Sequence, residues 1–303
     1  MNTNVSTKLE FQNILHLTDF SPCSAEALSW ATSLVQAQGG MLFVLNVVIP
    51  DTLVYLAPGS PAVAFDMQHE WAQGEMKRVE EQIASIPHQV AIERGRDLWQ
   101  VVDAKLKEWH VDLIVLGTHG RTGLRRVLMG SAAERVLRNS PVPVMTVGPE
   151  VPAGETHDCQ FHKVLLATDF AEGSAETANY AVSFAKSHRA ELTMVHVCRR
   201  NRRGGAEQPW DLSIAEAMHR LHELVPGPPV MEDRPDHLVE CGEPGPRILE
   251  VAKRKDVDLI VMGVRNTSNV FAATHVGNNT AHEVVAHSPC PVLTVRPQAQ
   301  ANL

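Results

Sequence analysis

The sequence predicts an α/β protein built from two tandem doubly wound domains, each an open parallel sheet with helices on both faces. Three observations carry this. The segment FQNILHLTDFSPCSAEALSWA from Phe11 returns as FHKVLLATDFAEGSAETANYA from Phe161, an ungapped offset of 150 residues. Short runs of Val, Ile and Leu with little polar alternation read as strands buried on both faces. Helix-like stretches separate these runs, and strand–helix alternation is the signature of a covered parallel sheet.

In the first copy, strands are expected near 14–18, 42–48, 89–92, 112–117 and 142–147, with helices at 23–38, 65–85, 97–109 and 130–139. Asp97 is placed to cap the helix starting at Leu98. The second copy repeats the plan, with strands near 164–168, 192–198, 238–241, 258–263 and 291–295. DLIVLG at 112–117 returns as DLIVMG at 258–263, and PVPVMTV at 141–147 as PCPVLTV at 289–295. The polar, Gly- and Pro-bearing GPEVPAGETHDCQ at 148–160 joins the copies, giving domains 1–150 and 158–303.

A chain of 303 residues with 44% apolar and 20% charged residues has the makeup of a packed soluble protein. A formal net charge of −8 gives no case for nucleic acid as partner. No apolar stretch is long enough to span a membrane and no leader pattern opens the chain, so no membrane association is expected. Five scattered cysteines without a CxxC argue against a disulfide framework and fit a reducing cytoplasm, each thiol a small core filler. His219 and His222 lie three apart, but no HExxH and no third ligand can be named, so no metal site is expected. The five tryptophans, Trp30, Trp71, Trp99, Trp109 and Trp210, are spread out as packing anchors.

The chemistry concentrates in GTHGRTGLRRVLMGS at 117–131. Gly117 closes the strand, Gly120 and Gly123 follow, and Gly130 and Ser131 open a helix. Bare backbone N–H groups can nest an anion, and a helix start adds unpaired donors and the positive dipole end. A phosphate cradle and a set of tight turns both fit. No GK[ST] follows, and no GxGxxG follows the first strand, which sets aside the Walker A loop and the dinucleotide fingerprint. In open sheets ligands bind beyond the C-terminal strand ends. Asp19, ending the first strand in LTDFS, is expected opposite the glycine loop, contacting a ribose hydroxyl or base amine, or else capping the next helix, as Ser21 also can.

These residues carry a family likeness. Gly117, Gly120, Gly130 and Ser131, in the spacing Gly-x2-Gly-x9-Gly-Ser, resemble the ATP-binding signature of the universal stress protein family. ILHLTDFS, DLIVLGTHGRTGL and GSAAERVLRNSPVPVMTV are similar to the same family, and the likeness spans both copies. It implies a five-stranded sheet in order 3-2-1-4-5 in each domain. It implies ATP, with or without Mg2+, as ligand. Asp19 is implied at the adenosine, Val47 at the base through its backbone, and Gly117, Gly120, Gly130 and Ser131 around ribose and phosphates. Pairing of the two domains within the chain and further homodimerisation are also implied.

The second copy departs from the signature. Gly263 remains, but Asn266 replaces the next glycine and Asn278 and Asn279 stand where Gly130 and Ser131 stand, with Gly277 just before. A weak or empty site is expected there. The basic loop 199–210 reads as solvated, with contact to a phosphate as the alternative. No nucleophile–base pair can be assembled, so no catalytic residue is named. His119, Arg121, Arg125 and Arg126 can lend charge to a phosphate or simply face solvent. Three functions stay open: an ATP-binding regulatory protein of the stress response, a nucleotide-independent interaction scaffold, and a slow metal-dependent ATPase.

Overall fold

The computed structural model describes residues 11–49, 61–120, 129–153, 161–200, 210–225, 235–264 and 280–296. The arginines of the glycine stretch, Gly123, the loop 201–209, Asn266, Gly277, Asn278 and Asn279 lie outside the described residues. Contacts divide the chain into two compact units, one on Phe11–Val147, the other on Gln160–Leu303 with Gly148–Pro152 against it. Among the described residues, no helix is long and apolar enough to cross a membrane.

The first unit runs β1 (Asn13–Leu17), α1 (Pro22–Gln38), β2 (Met41–Val48), α2 (Pro61–Gln82), β3 (His88–Arg94), α3 (Leu98–Glu108), β4 (Leu113–Gly117), α4 (Ser131–Asn139) and β5 (Val144–Val147). Every strand pair is parallel and the order is β3-β2-β1-β4-β5. Parallel strands need crossovers, and right-handed crossovers that reverse direction between β3 and β4 put helices on both faces. Helix α1 packs on β1 and β4, and α3 packs on α4. The core lies where the apolar runs predict it. Ile14, Leu15, Leu42, Val44, Leu113, Ile114 and Val115 are sealed from solvent. Each such side chain contributes roughly 1.5–3 kcal/mol by leaving water.

The second unit repeats this with β6 (Lys163–Thr168), α5 (Ser174–His188), β7 (Glu191–Cys198), α6 (Ile214–Leu224), β8 (Asp236–Cys241), α7 (Pro244–Lys255), β9 (Leu259–Gly263), α8 (Thr280–His287) and β10 (Val292–Val295). Its order is β8-β7-β6-β9-β10, again all parallel. Both units share one fastening. The carboxylate of Asp112, just before β4, accepts from the N–H groups of Gln12 and Asn13 at the start of β1. Asp258 accepts from His162 and Lys163 in the same way.

Caps behave as the side chains dictate. Asp97 accepts from the Gln100 N–H at 3.1 Å and starts α3. Ser21 caps α1 by accepting from the Ser24 N–H at 3.2 Å, and Pro22 fills the first helical position, where no N–H is needed. Of the tryptophans, Trp109 is buried and stacked on Phe43. Trp71 departs from the packing-anchor expectation: it sits on the outer face of α2, 43% exposed, edge-on to Phe20.

Candidate functional site

Register brings the site residues to one edge of the first sheet. Leu17 pairs with Leu45 on β2 and with Leu116 on β4, so β1 and β4 end nearly level while β2 runs on along β3 to Val48. Thr18 and Asp19, Asn46 and Val47, and Gly117 and Thr118 therefore emerge side by side, at the point where the strand order reverses.

After Thr18 the chain turns sharply. Phe20 adopts a left-handed conformation (φ 61°), and its N–H donates to Thr18 Oγ1 at 3.0 Å. This bends Asp19 back so that its Oδ1 accepts from the Ser21 N–H at 3.0 Å. The capping of α1 thus belongs to Ser21, while Asp19 shapes the turn with one oxygen. Its other oxygen, Oδ2, lies against the glycine loop: a Cβ on Gly120 would stand 2.8 Å from it. The Ser21 hydroxyl donates to the His119 carbonyl at 3.2 Å, tying the two loops together.

Helix α4 opens next to this contact. Gly130 is its N-cap with no side-chain capping bond, and Ser131 is its exposed first residue. The Gly130 N–H donates to the Thr118 carbonyl at 2.7 Å. A Cβ on Gly130 would lie 3.4 Å from that carbonyl and 3.8 Å from the Gly120 nitrogen, ordinary contacts that the protein itself tolerates. Asp19, Gly120, Gly130 and Ser131 thus converge.

Gly117 and Val47 stand apart. A Cβ on Gly117 would lie 2.8 Å from the Cys23 carbonyl carbon and oxygen and 2.9 Å from the Ser24 nitrogen. The strand end is glycine because the backbone of α1 crosses directly over it. In the second unit Gly263 likewise faces α5, with 3.1 Å left to Thr177 Oγ1. Val47 is half-buried near the end of β2, in register with Glu93. Its side chain faces Gly95, where a Cβ would come within 3.7 Å.

A buried polar chain behind the edge was not anticipated from sequence. Asn46 donates to the Thr18 carbonyl at 2.8 Å. Ser24 donates to Thr18 Oγ1 at 2.9 Å and lies 3.4 Å from His16 Nε2. His16 Nδ1 meets the Val115 carbonyl at 3.2 Å. A carbonyl can only accept, so Nδ1 carries the ring proton. Burial pushes the His16 imidazole down to about 4, against the opposing pull of that carbonyl and of the Asp19 charge. His16 is therefore neutral at pH 7 and holds the base of the Asp19 turn without competing for its charge. The signal was a histidine inside an otherwise apolar strand, ILHL. His119, within the loop, has its Nδ1 2.8 Å from Thr118 Oγ1.

The second unit keeps the turn: Phe170 has φ 55°, and Asp169 Oδ1 accepts from the Ala171 N–H at 3.0 Å. The histidines on α6 do not converge. His219 pairs with Glu223, whereas His222 Nδ1 donates to the Met218 carbonyl at 2.7 Å and its ring lies 4.3 Å from that of His237.

Together these features define a tandem α/β protein whose candidate site in the first unit lies where β1 and β4 part. The universal stress protein family model matches twice, at residues 10–148 and 160–296. The chain belongs to the universal stress protein family and carries two of its domains in series. A universal stress protein of Mycobacterium tuberculosis, Rv1996, is 26% identical over 312 residues, covering 92% of this chain and 93% of its own. A Methanocaldococcus jannaschii member, MJ0531, is 32% identical over 140 residues, or 45% of this chain and 82% of its own. The crystal structure of a universal stress protein from Archaeoglobus fulgidus covers 95% of this chain and 100% of its own, at TM-score 0.67 and 22% identity.

Proposed function

We propose that the first domain, residues 1–150, binds ATP, and that the protein works as a nucleotide-holding regulator of the stress response in the cytoplasm. The observation that carries this is the meeting of Asp19 Oδ2 with Gly120, beside a helix start at Gly130 without a side-chain cap. Gly130 needs no special backbone geometry, having φ −63°, and the protein has room for a Cβ there. A glycine with neither a conformational nor a packing reason fits a position kept bare for a ligand. Asp19 and the backbone near Val47 suit the adenosine end; Gly120, Gly130 and Ser131 suit the phosphates, with the start of α4 supplying donors. Mg2+ would ride with the phosphates.

The second domain, residues 158–303, keeps Asp169 and Gly263, but the glycine in that signature is explained by helix packing. This favours one nucleotide per chain. Freshly purified protein, denatured without added nucleotide, should release about one adenine nucleotide per chain, measured by chromatography and mass. If it releases none, and titration with ATP and Mg2+ also gives no binding, the scaffold reading replaces this one.

A further inference from the structure

The end of β7 in the second unit gathers metal-binding side chains. At the repeat offset, Asn46 and Val48 of the first unit are replaced by His196 and Cys198. Two positions apart on a strand, they share a face. A ring nitrogen of His196, the Cys198 thiol and a carboxylate oxygen of Asp211 lie within 4.8 Å of one another. His196 and Cys198 are buried and Asp211 is exposed, so the cluster opens to solvent on one side. We infer that His196, Cys198 and Asp211 form a Zn2+ site in the second domain.

Four features support it beyond proximity. His196 Nδ1 donates to the Thr168 carbonyl at 2.9 Å, while its Nε2 is buried and has no hydrogen-bond partner among the described residues. A buried acceptor left unmet costs about 1–3 kcal/mol. A ring held by a backbone carbonyl through one nitrogen, with the other bare, is the arrangement that orients a zinc-bound histidine. Asp211 is fixed by its own loop: Oδ1 accepts from the N–H groups of Arg199 and Leu212, at 2.9 and 3.0 Å. Cys241 is in register with Cys198 across β7 and β8, its thiol in hydrogen-bonding contact with it, and stands ready as a fourth donor. The charge balance also suits a cation. Arg220 reaches over the Phe170 ring stacked on His196, but it is paired with Glu216 at 2.8 Å, and Asp169 and Asp211 both act on His196.

Ligands of one tetrahedral Zn2+ sit about 3.3–3.8 Å apart, given bonds of 2.0–2.3 Å. From the 4.8 Å limit, the ligand atoms have at most about 1.5 Å to close to that spacing. Thiolate, imidazole and carboxylate together suit Zn2+ better than Mg2+ or Ca2+, which take oxygen ligands. Binding transfers the Cys198 proton to solvent as the sulfur–zinc bond forms.

The test uses the full chain, stripped with a chelator and titrated with Zn2+ alone against a chromophoric competitor, then with Co2+ to read thiolate-to-metal absorption. One Zn2+ per chain and a thiolate charge-transfer band are expected. Cys198→Ser, nearly isosteric, should reduce the band and weaken Zn2+ at least tenfold, and Cys198→Ser with Cys241→Ser should abolish the band. Asp211→Asn, on an exposed side chain, should weaken it by a similar factor with the fold unchanged by circular dichroism. Cys241→Ser should weaken it less. The inference is overturned by failure of the wild type to bind Zn2+. Unchanged affinity in Cys198→Ser overturns it too, or in Asp211→Asn should the cysteine variant not fold.

Discussion

Two glycines of one signature should respond in opposite ways to a single methyl group. In Gly117→Ala the new Cβ would stand 2.8 Å from the Cys23 carbonyl and 2.9 Å from the Ser24 nitrogen. Real Cβ atoms rarely come closer than about 3.4 Å, and the obstacles are helix backbone, so α1 as a whole must retreat by about 0.5 Å. Overpacking of this kind costs about 1–3 kcal/mol. In Gly130→Ala the new Cβ meets Thr118 O at 3.4 Å, and the cap position changes stability by no more than about 1 kcal/mol. Four of the five tryptophans, Trp30, Trp71, Trp99 and Trp109, lie in the first unit, so urea unfolding followed by tryptophan fluorescence reports mainly on it. Gly117→Ala should lower the midpoint clearly, whereas Gly130→Ala should barely move it yet release less bound nucleotide, and Gly130→Val should release none. Equal destabilisation by the two alanines, or full nucleotide occupancy in Gly130→Val, would refute the separation of packing from binding.

Other substitutions test neighbouring links. Gly120→Ala drives Asp19 Oδ2 away, since the obstacle is a side-chain oxygen at 2.8 Å; stability should change by less than about 1 kcal/mol while ATP affinity in a titration drops. Asp97→Ala removes the α3 cap and the 3.1 Å pair with Arg135, and should cost about 1 kcal/mol in urea unfolding. His16 is a base whose folded pKa lies below its unfolded value, so the unfolded chain binds more protons between pH 4 and 6.5. Stability from this group is full above about 6.5, falls as the pH drops toward 4, and amounts to at most about 3 kcal/mol. His16→Leu, copying Leu166 of the second unit, should flatten that part of the pH–stability profile; an unchanged slope would show that His16 is not its source.

The strands were legible because the central ones are apolar runs buried on both faces, and α1, α3 and α6 open on a capping Ser or Asp, whereas α2, without such a signal, begins at Pro61 rather than at 65. Every strand falls within two residues of its expected bounds, and Asp97 caps where its position says it must. The sheet order came from family likeness, since local pattern cannot say which strands pair. The site was partly legible for the same reason. Asp19, Gly120 and Gly130 could be named from spacing, but the packing duty of Gly117 depends on how closely α1 crosses β4. The second copy held a clue: Gly263 persists where Asn266 has taken the place of its partner. The chain Asn46–Thr18–Ser24–His16 and the cluster His196–Cys198–Asp211 were missed because register assembles them. No short motif spans β1, β2 and the loop before α6.

The paired left-handed phenylalanines turn the duplication into an internal control. Phe20 and Phe170 each hold a conformation that disfavours L residues by about 1–2 kcal/mol. Both halves nonetheless retain it, with an aspartate folded back in each. A trait shared by both halves belongs to the architecture they inherited, so an aspartate in this turn is no diagnosis of a ligand. Individuality must be sought where the halves have diverged. Gly130 against Asn278, and Asn46 with Val48 against His196 with Cys198, are such places. A duplicated chain can thus specialise one half for one guest and the other for another, while each keeps the common turn.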